Sequence, residues 1–387
     1  MNPRHRETTA EFSPRCLLVT GGVGFIGSHF VRWVLGHRPE IQVVNLDVLT
    51  YAANPESLAD VLQQYGPTGD GRYYFIRGDI REASTITAVL RGEASETLAG
   101  GLAGRTVPPP DAVVHLAAES HVDRSIMGPA IFVDTNVRGT LTLLECIRAR
   151  LVNAPRPFRF LHVSTDEVYG TLGPTDPPFT EATPLAPRSP YSASKAGADL
   201  LVEAYRETFE LPVLITRCSN NYGPHQFPEK LIPLMITRAL RNEALPLYSD
   251  GLNVRDWLHV EDHARALWVT LTRGQIGRVY NVGGESERTN LDVVKAILRL
   301  LGKPEALIRF VEDRPGHDRR YAMDVSRIRT ELNWKADHSF EEGLRETVEW
   351  YVTHEEWWTR VLTEAYRAAT ELYLGSRKPG VPAAHLR

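Results

Sequence analysis

One junction near the start constrains the fold more than any other feature. An apolar run, Cys16-Leu17-Leu18-Val19, passes through Gly21-x-x-Gly24-x-x-Gly27 into a helical pattern carried by His29, Phe30, Trp33 and Val34. Gly36 and Pro39 stop that pattern. Strand, glycine turn and helix in this order form a phosphate cradle: glycines let the backbone approach a pyrophosphate, and the helix N-terminus offers amides to its charge. Glycines also serve ordinary tight turns, so the triad needs support from the rest of the chain.

That support is a repeated rhythm. Apolar runs at 41–47, 73–76, 112–118, 160–163 and 211–217 alternate with helical patterns. The alternation predicts an α/β fold: a Rossmann-type, doubly wound parallel sheet with helices on both faces. The strand ends carry the expected chemistry. Asp47 ends the second strand, where an acid binds ribose hydroxyls and repels a 2′-phosphate, so NAD is expected over NADP. Asp79-Ile80 ends the third strand, and Leu116-Ala117-Ala118 places small residues where the fourth passes a cofactor.

Past residue 222 the segments shorten and gain Pro, Arg and aromatics, which predicts a smaller α/β C-terminal substrate lobe. The expected division is an N-terminal tail over 1–15, a dinucleotide domain over 16–222 with 252–282 returning to it, a substrate lobe over 223–251 and 283–360, and an extension over 361–387. Within the lobe, a helix is expected over 227–240, entered through Pro228, and another from Thr289, with Leu291, Val294, Ile297, Leu298 and Leu301 on one side. Residues 91–110, rich in Gly, Ala and Pro, read as an insertion loop, and the tail beyond 375 as disordered.

Composition narrows the function. A net charge of −4 over 387 residues leaves no footprint for nucleic acid or an anionic membrane. Residues 1–15 are polar and lack the apolar core of a signal peptide, so cytoplasmic residence is the default. Cys16, Cys146 and Cys218 are scattered and read as small buried hydrophobes rather than thiolates or zinc ligands. His121, His225, His259, His263 and His317 show no ligand spacing with a carboxylate, so no metal is expected.

Two segments carry reactive groups. Ser189 can cap a helix that Pro190 enters, which puts Tyr191 and Lys195 one turn apart on one face. A Tyr base must fall from about 10 to near 7, roughly 4 kcal/mol, which Lys195 and a positive nicotinamide ring can supply. The second segment, Ser164 to Gly170, follows the strand Phe160-Leu161-His162-Val163 and holds adjacent acids, Asp166 and Glu167. An acid and a base added to a Tyr–Lys pair suggest removal of water besides hydride transfer. Neighbours on a strand point to opposite faces, so the chain must leave strand geometry at Asp166 for both to reach one substrate.

Together with Leu116 to Ser125, Asn220 to Pro233, Arg255 to His263 and Asp313 to Tyr321, these segments resemble the extended short-chain dehydrogenase/reductase family, and within it the dTDP-glucose 4,6-dehydratases. The resemblance covers about residues 16 to 350. It implies NAD as cofactor, held by Gly21, Gly24, Phe25, Ile26, Gly27, Asp47, Thr50, Asp79, Ile80, Leu116, Ala117, Ala118, Thr135, Tyr191, Lys195 and Asn221. It implies a nucleotide-sugar substrate, dTDP-glucose. Ser120 and Thr165 would touch the hexose, and Asn220, Lys230 and Leu231 the diphosphate and hexose side. Pro246, Leu247 and Tyr248 would line the base pocket. Arg255, Asn290, Asp313, Arg314 and His317 would close around the diphosphate.

The implied reaction oxidises C4 with Tyr191 as base and Thr165 hydrogen-bonded to the oxygen. Glu167 then removes the acidified C5 proton, Asp166 protonates the departing C6 hydroxyl, and hydride returns to C6. Family epimerases usually carry small or neutral residues at the positions of Asp166 and Glu167, which sets the 4-epimerase reading behind the dehydratase. The base pocket would decide between dTDP-glucose and UDP- or CDP-glucose as substrate of the same reaction. A non-catalytic NAD-binding regulator is disfavoured by the complete set of Thr165, Asp166, Glu167, Tyr191 and Lys195. The helices at 136–152 and 191–209 resemble those that pair in family homodimers. Their apolar residues Val137, Leu141, Leu144, Ala198, Leu201 and Val202 serve equally as internal core.

Overall fold

The structure is a computed structural model that describes residues 11–97, 104–153 and 156–362. Its centre is a seven-stranded sheet built from β1 (Cys16–Thr20), β2 (Gln42–Asp47), β3 (Tyr73–Arg77), β4 (Ala112–His115), β5 (Arg159–Thr165), β6 (Val213–Cys218) and one later strand, Val279–Val282. Three other strands precede that seventh one: β7 (Asn220–Tyr222), β8 (Leu245–Tyr248) and β9 (Val254–His259). The seventh sheet strand is therefore β10. The order is β10-β6-β5-β4-β1-β2-β3, and every pairing is parallel. All residues of β1 and β5 are buried, as expected where helices cover both faces.

The chain therefore has the Rossmann-type architecture expected of it. Helix Phe25–His37 packs on helix Val260–Arg273 on one face, and helix Ala83–Arg91 packs on helix Thr140–Asn153 on the other. Two core clusters flank the sheet, one centred on Leu17, Val43, Val114 and Leu161, the other on Leu18, Val44, Val113 and Phe160. Neighbouring residues of one strand fall into opposite clusters because strand side chains alternate. Of residues 252–282, β9 pairs elsewhere, and the return to the large sheet begins at helix Val260–Arg273 and ends in β10.

The smaller lobe holds β7 and β9 with β11 (Glu287–Thr289), and a parallel pair of β8 with β12 (Ile308–Val311). Its core gathers Ile236, Leu247, Val294, Ile297, Leu344 and Trp358. Thr289 caps helix Asn290–Leu301 by accepting from the Asp292 amide, and that helix buries Val293, Val294, Ile297 and Leu298. Residues Tyr321, Met323, Ile328 and Trp334 join the large-sheet core instead.

Three expectations need correction. The helix expected over 227–240 starts at Leu231, because the Lys230 amide first closes a turn on the Phe227 carbonyl. The described parts of the expected loop, 91–97 and 104–110, are not a plain loop. Ser95 bridges Thr106, the Thr97 amide donates to Phe75 of edge strand β3, and the Arg105 guanidinium binds Glu96 and the Tyr73 carbonyl. The segment covers a sheet edge that would otherwise expose unpaired backbone. Cys16 and Cys218 are buried, but Cys146 is only half-buried. The expected disorder beyond 375 lies outside the described residues, as does most of 361–387; in the expected tail, the Phe12 amide donates to the Thr272 carbonyl.

Helix Asn290–Leu301 offers a direct check of its buried face. Ile297→Ala should cost about 2–5 kcal/mol in chemical denaturation. Leu300→Ala, 44% exposed on the same helix, should change stability by about 0.5 kcal/mol or less.

Candidate active site

The glycine turn builds one wall of a cleft of about 380 Å³ at the carboxyl ends of the strands. Gly21 has φ +73°, and a Cβ there would lie 2.6 Å from the Ala117 amide, so β1 and β4 approach too closely for a side chain. A Cβ on Gly27 would lie 2.2 Å from the Gly21 carbonyl. Gly24 differs: a Cβ there would meet only that carbonyl, at 3.3 Å, and otherwise fill the cradle itself. Gly24 is also the N-cap of helix Phe25–His37 and supplies no side-chain cap, which leaves the first-turn amides to a ligand. The buried Asp47 carboxylate accepts from the Val23 and Leu49 amides at 3.0 and 2.8 Å and ties the turn to the end of β2. Asp79 is gripped by Arg81, whose guanidinium holds its carboxyl below the ordinary range. These features fit a dinucleotide, and each residue expected to hold NAD lines this cleft.

The opposite wall comes from β5. Regular strand ends at Thr165, and Asp166–Tyr169 forms one 3-10 turn. Thr165 caps it, accepting from the Glu167 amide at 3.3 Å and donating to Asp166 Oδ1 at 3.2 Å. The expected departure from strand geometry at Asp166 is thus present, and both carboxylates line the cleft. Gly170 ends the turn at φ +92°, where a Cβ would strike the Ala186 carbonyl at 2.5 Å. Asp166 is 1% exposed, with Oδ2 unpartnered. Burial, then Glu167, pushes its pKa well above the ordinary carboxyl value. Burial also raises Glu167, against which Arg314, Lys230 and Arg255 pull down.

Tyr191 and Lys195 enter on helix Pro190–Phe209, which Ser189 and Ser192 start with a reciprocal capping box. Both line the cleft. Lys195 Nζ donates to the Val163 carbonyl at 2.8 Å, which anchors it to β5 backbone. In the chain alone the Tyr191 phenol is raised by burial first and by Glu167 next, while the Thr165 hydroxyl pulls the other way. Asn136, inside a π-helical segment Val133–Gly139, donates to Ser194 Oγ at 2.8 Å and to the Glu119 carbonyl. It fixes the helix beside Lys195, and nothing in its sequence context announced that role.

On the substrate side, Ser120, Asn220, Lys230 and Leu231 line the cleft, and Lys230 Nζ donates to the Ser120 carbonyl at 3.0 Å. Arg255 is buried; it donates to the Asp318 carbonyl at 3.0 Å and lies 4.3 Å above the Tyr321 ring. Arg314 reaches Asp123 at 3.4 Å, and His317 reaches Asp313 at 2.6 Å. Tyr248 stands edge-on to His317. Asn290 is buried with Oδ1 unpartnered. Leu247 is a correction: strand alternation turns it into the lobe core, 1% exposed, while Pro246 and Tyr248 keep the outer face of β8. Pro246, Tyr248, Arg255, Asn290, Asp313, Arg314 and His317 stand outside the cleft lining.

Further lining residues escaped the sequence reading. Glu229 accepts from Tyr51 Oη at 3.0 Å and lies 3.5 Å from Arg124, whose guanidinium covers the Tyr51 ring. Arg81, Glu119, Phe227 and Trp257 also line the cleft. Their contacts join distant segments, and only the proximity of Glu229 to Lys230 hinted at one of them.

The raised Asp166 predicts a pH dependence. A carboxyl whose folded pKa exceeds its unfolded value stabilises the fold below the unfolded pKa, and that contribution is lost as pH rises through the folded pKa. Asp166→Asn should therefore gain thermal stability relative to the parent as pH climbs from 4 to 8. A difference in melting temperature that stays flat or shrinks over that range would contradict the buried, proton-holding Asp166.

The sequence model of the GDP-mannose 4,6 dehydratase family matches residues 18–347. A dTDP-glucose 4,6-dehydratase of Xanthomonas campestris pv. campestris is 51% identical over 363 residues, covering 90% of this chain and 97% of the relative. One from Neisseria meningitidis serogroup B is 50% identical over 368 residues, covering 91% and 98%. The structure of the Streptomyces venezuelae dTDP-glucose 4,6-dehydratase with NAD bound superposes at a TM-score of 0.79 with 47% identity, covering 89% of this chain and 99% of that one. The chain belongs to the GDP-mannose 4,6 dehydratase family and, within it, groups with the dTDP-glucose 4,6-dehydratases.

Proposed function

We propose that this chain is a hydro-lyase that converts dTDP-glucose to dTDP-4-keto-6-deoxyglucose and water, with NAD as its cofactor. The observation that carries the reading is the capped turn at Thr165. It delivers two acids with raised pKa values into the same cleft as Tyr191, Lys195 and a glycine cradle. When bound, NAD supplies the hydride acceptor for C4 and returns hydride to C6.

The chain's own groups divide the proton work. Tyr191 accepts the proton of the C4 hydroxyl, and Thr165 holds that oxygen by a hydrogen bond. A ketone at C4 acidifies the C5 hydrogen, so elimination follows oxidation. Glu167, with three cations pulling on it, is the base at C5. Asp166, deeper and more strongly raised, keeps a proton to give to the leaving C6 hydroxyl. Two carboxyls whose surroundings push their pKa values apart are the usual mark of an acid and a base. Lys230, Arg255 and Arg314 provide positive charge for the diphosphate, with Ser120 and Asn220 facing the hexose. Pro246 and Tyr248 on β8, with His317, form the base side.

We further propose a two-lobed organisation, the dinucleotide lobe carrying the large sheet and the sugar-nucleotide lobe built on β8, β12 and helices Leu231–Leu240, Asn290–Leu301 and Phe340–Thr353. The protein acts as a cytoplasmic homodimer in this proposal, the location resting on composition. The dimer rests on Leu141 and Leu200, apolar and exposed on the segments expected to pair. Leu144, Ala198 and Val202 are core, not interface. Leu200→Glu should shift the mass measured by light scattering from dimer to monomer.

Incubation with dTDP-, UDP- and CDP-glucose, without added reductant, should give a 4-keto-6-deoxy product from the dTDP sugar with the highest kcat/KM. A higher value for UDP- or CDP-glucose would reassign the base; a galactose nucleotide in place of the keto sugar would overturn the dehydratase reading. Glu167→Gln should block exchange of the C5 hydrogen with solvent while C4 oxidation persists in a single turnover. Asp166→Asn should lower kcat by about 10²–10⁴-fold, the usual contribution of a positioned acid.

A further inference from the structure

The fold assembles a cluster that no spacing in the sequence joins. His259 ends β9, His338 precedes helix Phe340–Thr353, and Glu346 stands on that helix. One ligand-type atom from each lies within 4.8 Å of the others. None of the three lines the active-site cleft.

His259 is 3% exposed, and both its Nδ1 and Nε2 are buried without a hydrogen-bond partner. Its ring centroid lies 4.1 Å from that of His338. Neither ring nitrogen is engaged elsewhere, so one can turn its lone pair to a metal. His338 is oriented from behind: its Nδ1 lies 2.9 Å from Asp262 Oδ2, and its amide donates to the same oxygen. With Nδ1 engaged, Nε2 is the nitrogen left for a ligand. A carboxylate behind a histidine in this way fixes the ring and raises its basicity toward a metal. Glu346 is exposed and brings a carboxylate from the solvent side.

We propose that His259, His338 and Glu346 form a binding site for a zinc-class divalent ion, with Asp262 as the group that orients His338. Two imidazoles and one carboxylate suit a borderline ion such as Zn²⁺ rather than Ca²⁺ or Mg²⁺. A tetrahedral ion with bonds of about 2 Å holds its ligand atoms roughly 3.3–3.5 Å apart, so three atoms within 4.8 Å of one another need draw in only a little to hold it. Water takes the fourth position. The ion would tie helix Phe340–Thr353 to the end of β9, two residues beyond the cleft-lining Trp257.

The test uses the full chain, stripped with a chelator and dialysed against Zn²⁺. Metal analysis should find one equivalent per chain, Zn²⁺ should raise the melting temperature, and Co²⁺ should give the visible bands of a tetrahedral site. His338→Ala and Glu346→Gln, both on accessible positions, should lose or weaken binding. Asp262→Asn should weaken it about 10–100-fold. His37→Ala, exposed and remote, should leave it intact. No bound zinc in the parent, or equal zinc and equal thermal shift in parent and His338→Ala, would overturn the proposal.

Discussion

The active site depends on one buried ion pair. Asp199 on helix Pro190–Phe209 accepts from Arg217 Nε of β6 at 2.8 Å, and both side chains are almost wholly buried. His162 of β5 adds Nε2 at 3.3 Å from the other Asp199 oxygen. Burial alone would raise Asp199 and lower Arg217, but His162, Arg217 and Lys195 bring Asp199 down while Asp199 and Tyr169 bring Arg217 up, which keeps the pair charged. Arg217 then donates to Tyr169 Oη at 3.1 Å, and Tyr169 donates to Asn281 of β10 at 2.8 Å. Tyr191, Lys195 and Asp199 follow one another at four-residue steps on one helix face. The pair thus fixes the helix that carries Tyr191 and, through Tyr169, the turn that carries Asp166 and Glu167. A pair of this depth adds little net stability against apolar replacements, yet losing one partner costs about 3–5 kcal/mol. Its value lies in registering the helix of Tyr191 against the turn of Asp166 and Glu167.

That frame lets the site carry unfavourable groups. Asp166 keeps an unpartnered oxygen, and Tyr191 sits beside two acids. Each raises the free energy of the folded chain without its ligands, and each gives a group a proton affinity it would lack in water. Burial is the common cause, since desolvation is the largest influence on Asp166, Glu167, Tyr191 and Lys195 alike. The positive groups around Glu167 do not cancel this. They arrive from separate segments, at Lys230, Arg255 and Arg314, and bring Glu167 below where burial alone would put it. The asymmetry between the two neighbouring acids comes from the lobe that covers them.

The readable parts of the fold were those fixed by local rules. Strand ends, the glycine turn, the Ser189 cap and the break at Asp166 all follow from residues within a few positions of one another. β10 has four residues and no period to reveal it; only its pairing with β6 makes it a strand. The start of helix Leu231–Leu240 was hidden because a turn closed by Phe227 and Lys230 imitates a first helical turn. Leu247 was misplaced because motif proximity ignores the parity of a strand. Arg105, Asn136 and Glu229 act across segments far apart in sequence, and His338 was not counted among the metal candidates because Asp262 and His259 lie 76 and 79 positions earlier. A chain shows what each residue could do; which residues meet is decided by topology.

Topology also explains why the cofactor turn and the acid–base turn are separate. The sheet order places β4 between β1 and β5. Strands lie about 4.8 Å apart, so the glycine cradle at β1 and Thr165 at β5 are separated by roughly 10 Å across the sheet. A ligand that rests its phosphates on the first and presents a reactive ring to the second must be extended over that distance. A dinucleotide meets the requirement. The order reverses between β1 and β4, where one half of the sheet runs out to β3 and the other to β10, and the crevice opens there. Strand β5 lies on the far side of that reversal, next to β6, from which the chain enters the second lobe through β7. The acids therefore stand at the edge of the cofactor crevice on the side from which the chain leaves the large sheet, so the sheet order that creates the crevice also places them there.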